Sequence, residues 1–177
     1  MWATNNVGKR CNCIYGSERL NTVKIMGLLR DLFGIGSPKA ANDSSTDNVY
    51  SNLTYNQKLA AMNLMMAFGG SCSGSPQELS KINHIMKQEG EMLGISASEM
   101  HAATSRFSGM KEMSDALKGA DRGALEKLFW AFYCIIAAGK NELAVRVLLS
   151  IYKDYGFSDQ DCLSILNKRT GINLEDL

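Results

Sequence analysis

Few side chains in this sequence have the type and spacing to do chemistry. There are two histidines, His84 and His101, and five cysteines, Cys11, Cys13, Cys72, Cys134 and Cys162. Thiol or imidazole catalysis needs a nucleophile within reach of a base and a third group to orient that base. Cys72 lies in the loop Gly69-Gly70-Ser71-Cys72-Ser73-Gly74, with no basic neighbour or nearby histidine to favour its thiolate. His84 and His101 flank a turn at Gly94 and are placed to meet in space, yet neither has a carboxylate at helical ligand spacing. These residues define one alternative, a small thiol- or histidine-dependent enzyme. Cys11-Asn12-Cys13 is too tightly spaced for a usual zinc pair, and no second pair follows. The glycine- and serine-rich loop leads into a helix start, a place that suits an anion. It continues Ser75-Pro76-Gln77-Glu78 where a phosphate loop needs a lysine. No catalytic constellation emerges. The chain reads as one that binds rather than catalyses.

Composition narrows what it binds. Lys and Arg total 19 against 18 for Asp and Glu, a net charge of +1, so there is no basic excess to attract nucleic acid. An odd cysteine count without framework spacing points to a reducing compartment, and the cytoplasm is the expected location. The longest apolar stretch, Leu128 to Ala138, is too short to span a bilayer, and no apolar segment follows Lys9 and Arg10 as in a signal peptide. With only two prolines and ten methionines, the chain can sustain long helices and fill a core adaptably.

The elements that would position any site fall into two regions. Residues 1–52 read as a flexible N-terminal arm. It carries a short amphipathic helix over about 23–33 and then a polar linker with almost nothing to bury. Leu28, Leu29, Leu32 and Phe33 give that helix an apolar side for docking a protein partner or touching a membrane surface peripherally. The change from patternless to amphipathic sequence near Met26 suggests that the functional chain starts there.

Residues 53–177 read as an all-α domain, a compact bundle of about seven helices with well-marked starts. Thr54 with Gln57, Ser75 with Glu78, Ser96 with Glu99, and Ser158 with Asp161 are capping pairs, while Asp121 and Asn141 cap two more helices. The spacing predicts helices over about 55–68, 76–93, 96–107, 110–117, 125–138, 141–155 and 158–168. Leu79, Ile82, Ile85, Met86 and Leu93 are the expected buried stripe of the second. Leu143, Val147, Leu148 and Ile151 are the corresponding stripe of the sixth. The helix through Phe129, Trp130, Phe132 and Tyr133 is apolar on most sides and should be central. Lys111, Lys118, Arg122 and Lys127 alternate with acids and read as a solvated face.

The two halves share one grammar. Met65-Met66-Ala67-Phe68-Gly69, Glu78-Leu79 and Leu93-Gly94-Ile95-Ser96 match Ile135-Ile136-Ala137-Ala138-Gly139, Glu142-Leu143 and Tyr155-Gly156-Phe157-Ser158. This pattern resembles the tellurite-resistance TerB-like domains, with a similar pattern at the N-terminus of the DjlA co-chaperones, over about 53–168. The resemblance implies a bundle made of a duplicated helical module and a role in stress response. It also implies divalent-metal binding by acidic residues in the turns, where the family typically carries Asp-Gly. Here those turns read Gly69-Gly70 and Ala138-Gly139, so only Glu78 and Glu142 remain as metal candidates. The expectation is therefore a protein-interaction scaffold with degenerate metal-site turns and no resident cofactor. A co-chaperone role lacks the His-Pro-Asp tripeptide of a J-domain.

Overall fold

The computed structural model describes residues 48–71, 74–96, 98–99 and 105–170. The arm helix over 23–33, Cys11, Cys13, Cys72, His101 and the middle of the expected third core helix lie outside the described residues. Six helices are delimited among those described: α1 Tyr55–Gly70, α2 Pro76–Leu93, α3 Met110–Leu117, α4 Arg122–Ala138, α5 Glu142–Asp154 and α6 Asp159–Thr170. Ser98 and Glu99 are helical as well. No strand occurs among the described residues.

Five of the six helices begin where a side chain satisfies amides that have no partner in the first turn. The exception is α3, which follows Gly109 with no side-chain cap. Thr54 and Gln57 form a reciprocal capping box before α1, as do Ser75 and Glu78 before α2. Asp121 accepts from the Ala124 amide, and Asn141 from the Ala144 amide. The helix ends are equally local. After α2 and after α5 the chain closes with the same pair of backbone bonds, Ile95 N to Gly90 O with Gly94 N to Glu91 O, and Phe157 N to Tyr152 O with Gly156 N to Lys153 O. Gly94 and Gly156 hold the left-handed position, at φ 68° and 85°. A serine cap follows each: Ser96 N donates to Glu99 and Ser158 N to Asp161, both at 2.8 Å.

Helix α4 is the axis, touching α1, α2, α5 and α6. Leu128, Phe132, Ile135 and Ile136 have no exposed surface, which agrees with its all-round apolar sequence. Phe132 meets Phe68 of α1 with ring centroids 5.6 Å apart, and Phe129 meets Tyr152 of α5 edge-on at 4.8 Å. The Tyr152 hydroxyl donates to Leu125 O at 2.7 Å, so its burial leaves no unmet donor.

Three expectations need correction. Gly69 and Gly70 do not form a turn but complete α1. Gly69 lies close to both neighbouring helices: a Cβ there would stand 3.0 Å from Ile82 Cγ2 of α2 and 3.8 Å from Ile135 Cγ2 of α4. Leu79 and Leu143, assigned to buried stripes, are 42% and 71% exposed. Leu143 sits about 160° around α5 from the centre of the face formed by Ala144, Val145, Leu148 and Tyr152, at ~100° per residue. Leu79 lies one turn before Ile82, past the end of α1. Finally, Tyr50 falls in the stretch read as linker, yet it is fully buried.

Candidate functional site

Two polar centres emerge, one at each end of α2. The first joins the α1–α2 connection to the α4–α5 connection. Asn141, while capping α5, donates through Nδ2 to Ser71 O at 3.2 Å and Ser71 Oγ at 3.3 Å. Beside it, Lys140 Nζ contacts Glu78 Oε1 at 2.8 Å. The end of α1 and the start of α2 are thereby tied to the α4–α5 connection.

Both oxygens of Glu78 are engaged, Oε1 by the Lys140 ammonium and Oε2 by the Ser75 amide at 2.7 Å. The Lys140 hydrogen bond and then the Ser75 amide hold its carboxyl down at about 2. Lys140 reaches this position from a left-handed backbone, φ 51°. Lys140 N donates to Ala137 O and Asn141 N to Ile136 O, the closure that glycine makes after α2 and α5. A non-glycine residue there costs about 1–2 kcal/mol, so the lysine occupies a place that local conformation would assign to glycine.

As a metal centre this junction is poor. Glu142 is exposed in the first turn of α5, and Glu78 already holds a cation, the lysine itself. Gly69 and Ala138, where the TerB pattern keeps aspartate, are buried. At Gly69 the space belongs to Ile82, Met86 and Ile135, which offer no ligand oxygen. Among the described residues, no three of His, Cys, Asp and Glu gather as metal ligands would.

The second centre was missed in the sequence. The Tyr50 hydroxyl donates to Glu89 Oε2 at 2.6 Å, and Glu89 is 9% exposed. Asn48 Nδ2 donates to Met92 O at 3.0 Å, laying residues 48–50 against the C-terminal half of α2. Lys127, assigned to a solvated face, instead turns inward. Its Nζ stands 5.4 Å from the Tyr50 ring centroid and donates to Met92 Sδ at 3.4 Å. Burial raises the Glu89 carboxyl pKa, against the lowering effects of Tyr50, Lys127 and Arg169. One signal in the sequence pointed here: Glu89 continues the Ile82, Met86, Leu93 stripe, a place where an acid faces inward.

The enzyme alternative gains no support from the described residues. His84 is exposed on α2, while Cys72 and His101 lie outside them. Burial pushes the thiols of both Cys134 and Cys162 up to about 12, far from nucleophilic readiness. No helix among the described residues is long and apolar enough to cross a membrane.

No protein-family model, curated protein or solved structure matches this chain.

Proposed function

We propose that this chain is a non-enzymatic binding module of TerB-like type, a protein-interaction scaffold whose turns have given up metal. Two copies of one helical module compose it, and it serves a cytoplasmic stress response. The Lys140–Glu78 pair carries this reading. A resident ammonium neutralises the one well-placed acid at 2.8 Å, and the flanking Gly69 position is closed by apolar side chains. The matching closures after α2 and α5, each followed by a serine cap, support the duplication. The two module seams, Glu78-Leu79 and Glu142-Leu143, each put a leucine into solvent beside the joined turns, and these fit a protein partner better than an ion.

Two measurements test this. Calorimetric titration of the full chain with calcium, magnesium, manganese and zinc is expected to give no site-specific heat; a stoichiometric isotherm with any of them overturns the metal-free reading. Affinity capture from the native host is expected to recover a protein that is lost with Leu79→Arg plus Leu143→Arg, at unchanged thermal midpoint. An identical set of captured proteins with the double variant removes the turn junction as the docking surface.

A further inference from the structure

The segment that enters the bundle ahead of α1 is seated by Tyr50 and Leu53, both part of the core, with Val49 packed against it. Asn48, Ser51 and Asn52 are exposed and Val49 is half-buried, whereas Tyr50 has no exposed surface. Its hydroxyl ends on Glu89, and Asn48 adds one side-chain bond to Met92 O. Backbone turns from Ser51 N to Asn48 O and from Leu53 N to Tyr50 O shape the segment without tying it to another helix. Alongside the apolar seating of Leu53, the segment is therefore held by a tyrosine and a carboxylate in the same enclosed place.

Glu89 is faced from every side by groups that sense its charge. Tyr50 comes from the entering segment, Lys127 and Cys134 from α4, and Arg169 from α6. Lys127 lies over the Tyr50 ring, so the cation and the carboxylate bracket the same aromatic side chain.

We infer that the Tyr50–Glu89 contact is a proton-operated latch: with Glu89 protonated, the segment at 48–53 is held against α2 and α4, and ionisation of Glu89 to solvent loosens it. The chemistry is that of a carboxyl offered two environments. With the segment docked, water is excluded and the charged form loses solvation faster than one phenol hydrogen bond and two nearby cations restore it. With the segment lifted, water returns to the carboxylate. The docked form therefore binds the proton more tightly. Docking is strongest below the ordinary carboxyl value of 4.5, weakens as pH rises toward the docked midpoint, and levels off above it. Tyr50 takes no part as an acid, since burial and then Glu89 raise its own ionisation far above neutrality. The inference is independent of the turn junction, which lies toward the opposite end of α2.

The test uses the full chain and two readouts linked by thermodynamics. Carbon-detected NMR titration gives the Glu89 carboxyl midpoint, expected above 4.5. Hydrogen exchange, corrected for intrinsic rate, gives the protection of the Ser51 and Leu53 amides across the same pH range, with the Phe132 amide as internal reference. Protection of the two segment amides is expected to fall by about tenfold for each unit by which the midpoint exceeds the ordinary value. The Phe132 amide, in the core of α4, reports global opening, which carries its own linkage to Glu89, so the latch is read from the two segment amides. Glu89→Gln keeps an acceptor for the Tyr50 hydroxyl but cannot ionise, and is expected to flatten the pH dependence at the protected level. Tyr50→Phe removes a bond that favours the charged carboxylate and is expected to move the Glu89 midpoint further up. The latch is refuted by a midpoint at or below the ordinary value, by an equal fall in protection in Glu89→Gln, or by a Tyr50→Phe midpoint identical to wild type.

Discussion

Gly69→Asp introduces the acid that TerB-like domains carry after the apolar helix, and so tests whether this position could hold one under the proposed reading. The first side-chain carbon alone would stand 3.0 Å from Ile82 Cγ2, 3.6 Å from Met86 Sδ and 3.8 Å from Ile135 Cγ2. Overfilling a tight contact costs about 1–3 kcal/mol. A carboxyl group among those three apolar side chains has no partner, which adds about 1–3 kcal/mol even if it takes up a proton. Aspartate is a better helix former than glycine by only roughly 0.3 kcal/mol. The expected loss is about 2–6 kcal/mol, against a total of about 5–15 kcal/mol for a domain of this kind. In a thermal melt followed by circular dichroism, at ~3–4 °C per kcal/mol, that is a fall of roughly 6–24 °C. The pH dependence has a definite sign. A buried aspartate has a folded pKa above its unfolded value, so its penalty is complete at neutral pH and shrinks as pH falls toward about 4. Gly69→Ala is the control, with a helix gain of about 1 kcal/mol offsetting the same overpacking for a net loss of about 0–2 kcal/mol. A Gly69→Asp melt within about 2 °C of wild type would refute the argument. So would a midpoint that calcium raises in the variant but not in wild type, because binding to the folded state alone must stabilise it.

Lys140→Gly relieves a left-handed backbone worth about 1–2 kcal/mol and loses an exposed ion pair worth about 0–1 kcal/mol. Denaturant titration should find it equal to wild type or more stable by up to ~1 kcal/mol, and a clear loss would mean that the pair outweighs the strain. Lys140→Ala should raise the Glu78 carboxyl midpoint from about 2 while leaving it below the ordinary 4.5, because the Ser75 amide still holds it, as followed by NMR titration. In the wild type the contribution of this carboxylate is complete above 4.5 and is lost as pH falls through about 2. Phe132→Ala empties a fully buried site on the central helix and should cost about 3–5 kcal/mol, whereas Leu143→Ala, with 71% of its surface in solvent, should stay within about 0.5 kcal/mol in the same denaturant assay.

What the sequence settled by itself is what adjacent residues settle among themselves. Thr54 with Gln57, Ser75 with Glu78 and Asn141 start helices through bonds that span three residues, and Gly94 and Gly156 end them through bonds that span three to five, so pattern and spacing were enough. The all-round apolar run of α4 likewise announced a central helix, since no surface helix could leave Leu128, Phe132 and Ile136 so placed. Only the tertiary structure decided the rest. Whether Leu79 and Leu143 are buried depends on which face of each helix its neighbours cover and how far along they cover it, and a stripe read from spacing alone does not show that. Gly69 reads locally as a helix breaker, but the closeness of α2 and α4 makes it a contact point. The Lys140–Glu78 and Tyr50–Glu89 pairs join residues 62 and 39 apart, as read from their numbers, and no periodic pattern reaches that far. That Lys140 engages Glu78, and that Ile82, Met86 and Ile135 close in on Gly69, required the fold.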